Sequence, residues 1–343
     1  MHNFKKMFFS VTGILLTIII ISVTIITPYM NSELAYFQDS KLRNDLSGKI
    51  DCIVLGASHA LAGIDPTVLD KKLGCNSYNL SGSMMTLDGK YYLLSKEFGR
   101  NPIDTVVLEI SHDTLTRNEN SEFAIGDEPT VARLDSFAER IDYMLKYVSI
   151  NDWLNIYSRE FVMGLSFYQT LLTNGNMNNV NYEAKGYKYK DPVDITLNEQ
   201  TAKKIYNSKN ITASYPTTNI QKLNKIIKLC KDNNCRIVFV VVPESNALIW
   251  ELNHWDAFYK WMKQYASEND CELYDINLVQ KRNTIFTDDV SFSDLDHLSA
   301  SGAQITTELL AQAMLNPDHW EKQSYNSYDE MKKDSQYAYC IKQ

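Results

Sequence analysis

The fold this sequence predicts is α/β, a three-layer, doubly wound parallel sheet, and three observations predict it. Five short apolar runs recur between residues 50 and 276. Stretches of helical periodicity separate most of them. The runs are apolar at successive rather than alternate positions, as in strands covered on both faces. Right-handed crossovers between such strands place helices above and below the sheet in a flavodoxin-like arrangement, whose sites gather at the strand C-terminal ends.

The first strand is expected over 50–57, where Ile50-Asp51-Cys52-Ile53-Val54-Leu55 breaks into Gly56-Ala57-Ser58-His59. Pro66 to Leu73 reads as a short helix started by Asp65-Pro66, since proline is tolerated in a first turn. Ser77 to Leu80 is the second strand. Leu87 to Phe98 is an amphipathic helix with Leu87, Tyr91, Leu94 and Phe98 on one stripe, stopped by Gly99 to Pro102. Asp104 to Ser111 forms the third strand. A helix over about 218–231 leads to Arg236–Pro243, the most continuous buried-strand signal and hence a central strand. A helix over about 254–268, a strand over 271–276 and a closing helix over about 300–315 complete a domain spanning 50–316.

Residues 114–217 break this rhythm as a large insertion, helical over about 131–173 and then rich in Asn, Tyr and Lys. Its aromatic residues Tyr143, Tyr147, Trp153, Tyr157, Phe167, Tyr168, Tyr182, Tyr187 and Tyr189 suit a lid that stacks on sugar faces or, for most of them, packing of the insertion on the sheet. Residues 317–343 show no strong periodicity and are expected to run over the surface.

With 343 residues, 44% of them hydrophobic, the chain has ample material for one large core. Its 34 Lys plus Arg against 42 Asp plus Glu give a net charge of -8, with no basic run beyond the first residues, which excludes nucleic acid as an expected partner. Residues 7–27 carry no charge and reach the roughly 20 residues that span a bilayer as a helix. Lys5 and Lys6 precede them, so the N-terminus is expected in the cytoplasm, 28–49 beside the membrane as a linker, and the rest extracytoplasmic. A cleaved secretory signal is the alternative, but the apolar core is long and no Ala-x-Ala follows. Either way the main domain is exported. Six cysteines, at 52, 75, 230, 235, 271 and 340, form no Cys-x-x-Cys pair and have no companion histidines at metal-ligand spacing, so zinc is not indicated; no metal and no cofactor is expected. A bridge from Cys52 to Cys75 stays open.

A serine hydroxyl needs a base to take its proton and a carboxylate to fix the tautomer of that base. Ser58 stands where the first strand breaks, and Ser293-Asp294-Leu295-Asp296-His297-Leu298-Ser299 precedes the last helix. Ser58 as nucleophile, His297 as base and Asp294 as orienting acid fill the three roles. Asp296 competes for the last, but as the immediate neighbour of His297 its side chain is expected to point away.

The order of Ser58, Asn79-Leu80-Ser81-Gly82 and Asp294-x-x-His297 resembles the SGNH/GDSL hydrolase superfamily over residues 50–113 and 236–316. Its membrane-anchored branch, which includes the teichoic-acid D-alanylation protein DltD and polysaccharide O-acetylation proteins, is the most similar in style. The resemblance implies an SGNH hydrolase-like fold and acyl transfer outside the cell on a cell-surface glycan or teichoic-type polymer, as esterase or O-acyltransferase, beside a membrane-bound O-acyltransferase partner. It also implies an oxyanion hole from the backbone of Ser58 and Gly82, with Ser81 or Ser83 shifting that assignment by one. The asparagine usual in the third block is absent: Ile110-Ser111-His112-Asp113 stands there, so Ser111 or His112 donates instead or only two donors exist. His59 either binds substrate or is structural. A non-catalytic glycan-binding or assembly subunit, and D-alanyl transfer, are the alternatives.

Overall fold

The computed structural model describes residues 2–26, 43–117, 124–172, 185–193, 215–251 and 255–334. In chain order, α1 (His2–Ile21) continues as a π-helical turn, Ser22–Ile26. β1 (Cys52–Leu55) is followed by α2 (Ser58–Gly63) and α3 (Pro66–Leu73), β2 (Ser77–Asn79) by α4 (Leu87–Phe98), and β3 (Thr105–Glu109) by α5 (His112–Thr116). Helices α6 (Ala124–Arg133), α7 (Phe137–Tyr147), α8 (Ile150–Leu172) and α9 (Thr217–Asp232) precede β4 (Arg236–Val241). Then come α10 (Asn246–Glu251), α11 (Trp255–Glu268), β5 (Glu272–Asp275), α12 (Arg282–Ile285), α13 (Ala300–Leu315), α14 (Pro317–Gln323) and α15 (Tyr328–Lys333).

The chain divides into two compact units, one of Met1–Asp45 with Glu122–Val180, the other of Leu46–Ser121 with Asn181–Gln343. The second is a doubly wound α/β body. Its five strands are all parallel in the order β2-β1-β3-β4-β5, so the winding reverses between β1 and β3, the switch point where ligands bind in such sheets. Alternation along each strand feeds two cores. Ile53, Leu55, Val106, Leu108, Ile237, Phe239 and Val241 pack with α4, α9 and α11; Cys52, Val54, Val107, Val238 and Val240 pack with α2, α3 and α13. Each fully buried Val, Leu or Ile contributes roughly 1.5–3 kcal/mol, and this double-sided burial makes the sheet rim a rigid support. Side-chain caps set the helix starts: Asp65 accepts from Thr67 N–H, Thr86 from Gly89 N–H and Ser299 from Gly302 N–H.

The C-terminal segment, expected to run over the surface, is exposed at most of its described positions and held down by a few buried side chains. Trp320, Tyr325, Tyr328 and Met331 are buried; the Tyr328 ring stacks on Trp255 at 5.7 Å, and its hydroxyl donates to Asp275 Oδ2 at 2.7 Å. α14 and α15 are each too short for a period to register, and a few large anchors supply their burial instead. Residues 335–343 lie outside the described residues.

The first unit contains α1, the π-helical turn and α6 to α8. Ser136 and Glu139 form a reciprocal capping box at α7. Of the aromatic residues expected to pack on the sheet, or to stack on sugars, Tyr143 and Tyr147 lie against each other here, with ring centroids 5.2 Å apart. Tyr143 donates to Asp127 at 2.5 Å, Trp153 Nε1 to the carbonyls of Met144 and Val148, and Tyr168 to the carbonyl of Thr24. Tyr187 is buried in the other unit, where the Tyr189 hydroxyl donates to Asp191. Tyr182 and the side chain of Phe167 lie outside the described residues. Among the described residues no helix is long and apolar enough to cross a membrane. The uncharged part of α1, Met7 to Ile21, rises roughly 22 Å at about 1.5 Å per residue, against a hydrocarbon core of ~30 Å.

Candidate active site

The turn that carries Ser58 is made by three strand ends. Leaving β1, the chain passes Gly56 and Ala57 and enters α2 at Ser58. A Cβ at Gly56 would lie 2.4 Å from Ala60 Cβ and 2.7 Å from both Glu109 Cβ and Glu109 Oε2, so this turn requires glycine. The buried Glu109, last residue of β3, accepts the Ala57 N–H at 2.8 Å. Asn79, last residue of β2, donates to the carbonyls of Ala60 and Ile64 at 2.8 and 2.9 Å and so bolts α2 to the sheet.

The histidine loop is held as tightly. Phe292 and Leu298 form an antiparallel bridge, and Ser293 N–H donates to the His297 carbonyl at 2.9 Å. Asp294 Oδ1 accepts the backbone N–H groups of Asp296 and His297 at 3.1 and 2.8 Å, an Asx turn that curls the loop. Gly302 lets α13 press against it, since a Cβ there would meet the Ser291 carbonyl oxygen at 2.0 Å.

At the rim these parts meet. His297 Nε2 lies 2.8 Å from Ser58 Oγ, and His297 Nδ1 lies 2.8 and 3.0 Å from the two Asp294 oxygens. A carboxylate facing Nδ1 assigns the proton there, leaving the Nε2 lone pair to accept the serine proton. Asp296 does not point away as expected: its Oδ1 is 3.1 Å from the same Nδ1. The Asx turn brings both carboxylates back to one imidazole edge.

His59 adds a second ring, edge-on to His297 with centroids 5.2 Å apart. Its Nε2 is 4.0 Å from Asp296 Oδ2 and its Nδ1 4.0 Å from Glu109 Oε1, ion-pair rather than hydrogen-bond distances. Burial disfavours charge on His59, but Asp296, Glu109 and Glu244 outweigh it and raise its pKa to about 9. At His297 burial likewise opposes protonation; Asp294 and Asp296 overcome it and raise the pKa, while the charge of His59 works against them. Burial would raise both carboxylates, yet the facing histidines hold Asp294 below and Asp296 well below the usual carboxylate range. Lys190 Nζ, 3.3 Å from Asp294 Oδ2, further favours the ionised acid.

Lys190, Glu109 and the inward turn of Asp296 are what reading the sequence missed. Lys190 arrives on residues 185–193, inside the expected insertion. Hydrogen bonds from Asn79 N–H to the Lys185 carbonyl, Lys188 N–H to the Leu61 carbonyl, Ala300 N–H to the Lys190 carbonyl and Val193 N–H to the Phe292 carbonyl strap this segment across α2 and the histidine loop. Nothing local marks such a lysine, because its acid partner is 104 residues away.

The remaining residues named from the sequence are placed differently. Gly82 N–H is directed at the Gly56 carbonyl at 3.3 Å. Ser111 Oγ caps α5, at 2.9 Å from Thr114 Oγ1 and accepting Thr114 N–H at 3.2 Å. The His112 ring packs edge-on against Tyr215 and Phe258, each 6.1 Å away. Among the described residues no hydrogen bond or ion pair joins Ser111 or His112 to Ser58 or His297. The backbone N–H of Ser58 belongs to a first helical turn, whose donors have no intrahelical partner.

Asp294, Asp296 and His297 are also the residues whose donor atoms, all within 4.8 Å of one another, have the arrangement of a cation site. A proton on Nδ1 satisfies both carboxylates, and Nε2 is engaged by Ser58, so the histidine has no free nitrogen for a metal in this arrangement. No protein-family model matches the chain, and no curated protein matches it.

Proposed function

We propose that this protein is a membrane-anchored, extracytoplasmic serine esterase or O-acyltransferase of SGNH/GDSL type that handles acyl groups, acetyl foremost, on a cell-surface glycan or teichoic-type polymer. The observation that carries the reading is the 2.8 Å approach of His297 Nε2 to Ser58 Oγ with Asp294 at 2.8 Å behind the same ring. In this reading Ser58 Oγ attacks the ester carbonyl as His297 takes its proton. The tetrahedral intermediate expels the alcohol, which His297 reprotonates, leaving an acyl-serine. Water or a sugar hydroxyl then attacks the acyl carbonyl while giving its proton to His297, and the second tetrahedral intermediate breaks its bond to Ser58 Oγ, which takes that proton back from His297. Asp294 stays ionised throughout.

Anchoring rests on the uncharged run over residues 7–27 that follows Lys5 and Lys6 in the sequence. Soluble acyl-CoA is a cytoplasmic donor, so transfer outside the cell needs an acyl group delivered across the membrane, the part a membrane-bound O-acyltransferase partner plays. The test is hydrolysis of an aryl acetate by the full chain and by Ser58→Ala, with mass spectrometry of the Ser58 peptide. Acyl release that survives Ser58→Ala sinks the proposal. The adduct mass separates acetyl from D-alanyl transfer.

A second reading, a glycan-binding or assembly subunit that keeps the fold, is favoured by one observation: Gly82 N–H is already engaged by Gly56. A missing oxyanion donor costs about 2.7–4 kcal/mol of transition-state stabilisation. Glycan binding with no serine-dependent acyl release supports that reading.

A further inference from the structure

Helix α8 carries an apolar stripe that faces outward. Ile150, Leu154, Leu165 and Leu172 are 72, 75, 45 and 85% exposed, and Phe161, on the same line, is largely buried. At about 100° per residue these five positions fall within an arc of roughly 60°. Ile156, on the opposite side, is buried. Asn151, Asn155, Ser158 and Gln169 are exposed along one flank, with Val162 among them. Along the other flank stand Trp153 and Tyr157, and Tyr168 lies on the line itself, a pairing of apolar ring and polar tip that favours membrane–water boundaries. The polar tips of Trp153 and Tyr168 turn inward, to the Met144, Val148 and Thr24 carbonyls.

The stripe is tied to the end of the apolar N-terminal run. Gly164 is the point of close approach: a Cβ there would meet Ile25 Cγ2 at 2.8 Å and the Ile25 carbonyl oxygen at 3.2 Å. Along the run itself Ile14, Leu16 and Val23 are more than half exposed. Two helical segments joined at Gly164 and Tyr168 thus present apolar side chains that the described protein leaves uncovered.

From this continuity we infer that α8 is a second membrane-contacting element, an interfacial helix whose Ile150–Leu172 stripe sits against the acyl chains of the leaflet from which the anchor emerges. The occupant is lipid, because the stripe is uncharged, is edged by a polar flank on one side and amphipathic rings on the other, and adjoins a run that itself belongs in hydrocarbon. The inference rests on the anchoring reading above.

The experiment uses the full chain in vesicles of phosphatidylcholine and phosphatidylglycerol containing a lipid with a diazirine in its acyl chain, irradiated and mapped by peptide mass. Adducts are expected on α1 and on the α8 peptides carrying Leu154 and Leu165. The Leu154→Glu, Leu165→Glu double variant should lose the α8 adducts and keep those on α1. Labelling of α1 with none on α8 in the unaltered chain overturns the inference, and a chain that then runs as a dimer assigns the stripe to a second copy. Absence of adducts from both segments overturns the anchoring reading as well, which distinguishes the two failures.

Discussion

Replacing Asp294 by asparagine separates the roles of the two carboxylates at His297. Asn keeps the shape of the side chain and its acceptor oxygen for the backbone of the Asx turn, but removes one of two negative charges lying 2.8 and 3.1 Å from Nδ1. A unit charge at about 4 Å from the imidazolium is worth about 4 kcal/mol at an effective dielectric of ~20. Both carboxylates are more than two-fifths exposed, and solvent screening reduces this to roughly 2 kcal/mol. That corresponds to a loss of about thirtyfold in kcat/KM. Asp296 remains to hold the tautomer, so the loss stays well short of the ~10⁴-fold found where a lone carboxylate orients a catalytic histidine. The Asp294→Asn, Asp296→Asn double variant should approach that larger figure. The pH profile moves with a definite sign. The carboxylates raise the His297 pKa, and the base works only when neutral, so loss of Asp294 lowers that pKa and shifts the acid limb of kcat/KM to lower pH. Aryl acetate hydrolysis measured from about pH 5 to pH 9 reads both effects. An Asp294→Asn chain with unaltered rate and acid limb, or an Asp296→Asn chain that alone loses all activity, refutes the assignment.

His59→Gln removes a cation that depresses the His297 pKa, so the acid limb should move to higher pH. In the folded chain His59 titrates at about 9 against an ordinary 6.5; its stabilisation is complete below the unfolded value and fades as pH rises through about 9, so the Tm gap between native chain and variant should close across that window. Gly56→Ala forces a Cβ into Ala60 and Glu109, which should lower stability in urea by about 1–3 kcal/mol and abolish acyl release as the Ser58 turn opens; an unaltered urea midpoint contradicts the packing described. Tyr328→Phe strips the hydroxyl from Asp275 Oδ2 and should cost about 1–3 kcal/mol in urea denaturation. Burial already raises the Asp275 pKa to about 6 from 3.8, so the native chain loses stability as pH rises through that window. The variant, lacking a bond that favours the charged acid, should lose more.

The sheet was legible because double-sided burial writes continuous apolar runs. Arg236–Val241 and Cys52–Leu55 were readable for that reason, although their ends fray by one or two residues where apolar side chains continue into the turns. Ser58, Asp294 and His297 were legible as residue types beside a strand end and a helix start. α14 and α15 were not, since a helix of six or seven residues anchored by Trp320, Tyr328 and Met331 shows no period. Asp296 was misjudged because neighbouring side chains in an extended strand diverge, whereas the Asx turn at Asp294 makes these two converge.

The one-dimensional pattern by itself determined the α/β class, the order of the strands along the chain and the residue types available for chemistry, because apolar burial and turn formation are decided over a few neighbouring positions. Only the tertiary structure decided the electrostatics around Ser58. Ser58 and His297 are 239 positions apart, and Glu109, Lys190 and Asp296 reach them through crossovers and a strap whose partners lie on other segments. Charges act through space at a few ångströms, and distance along the chain carries no record of which of them will meet.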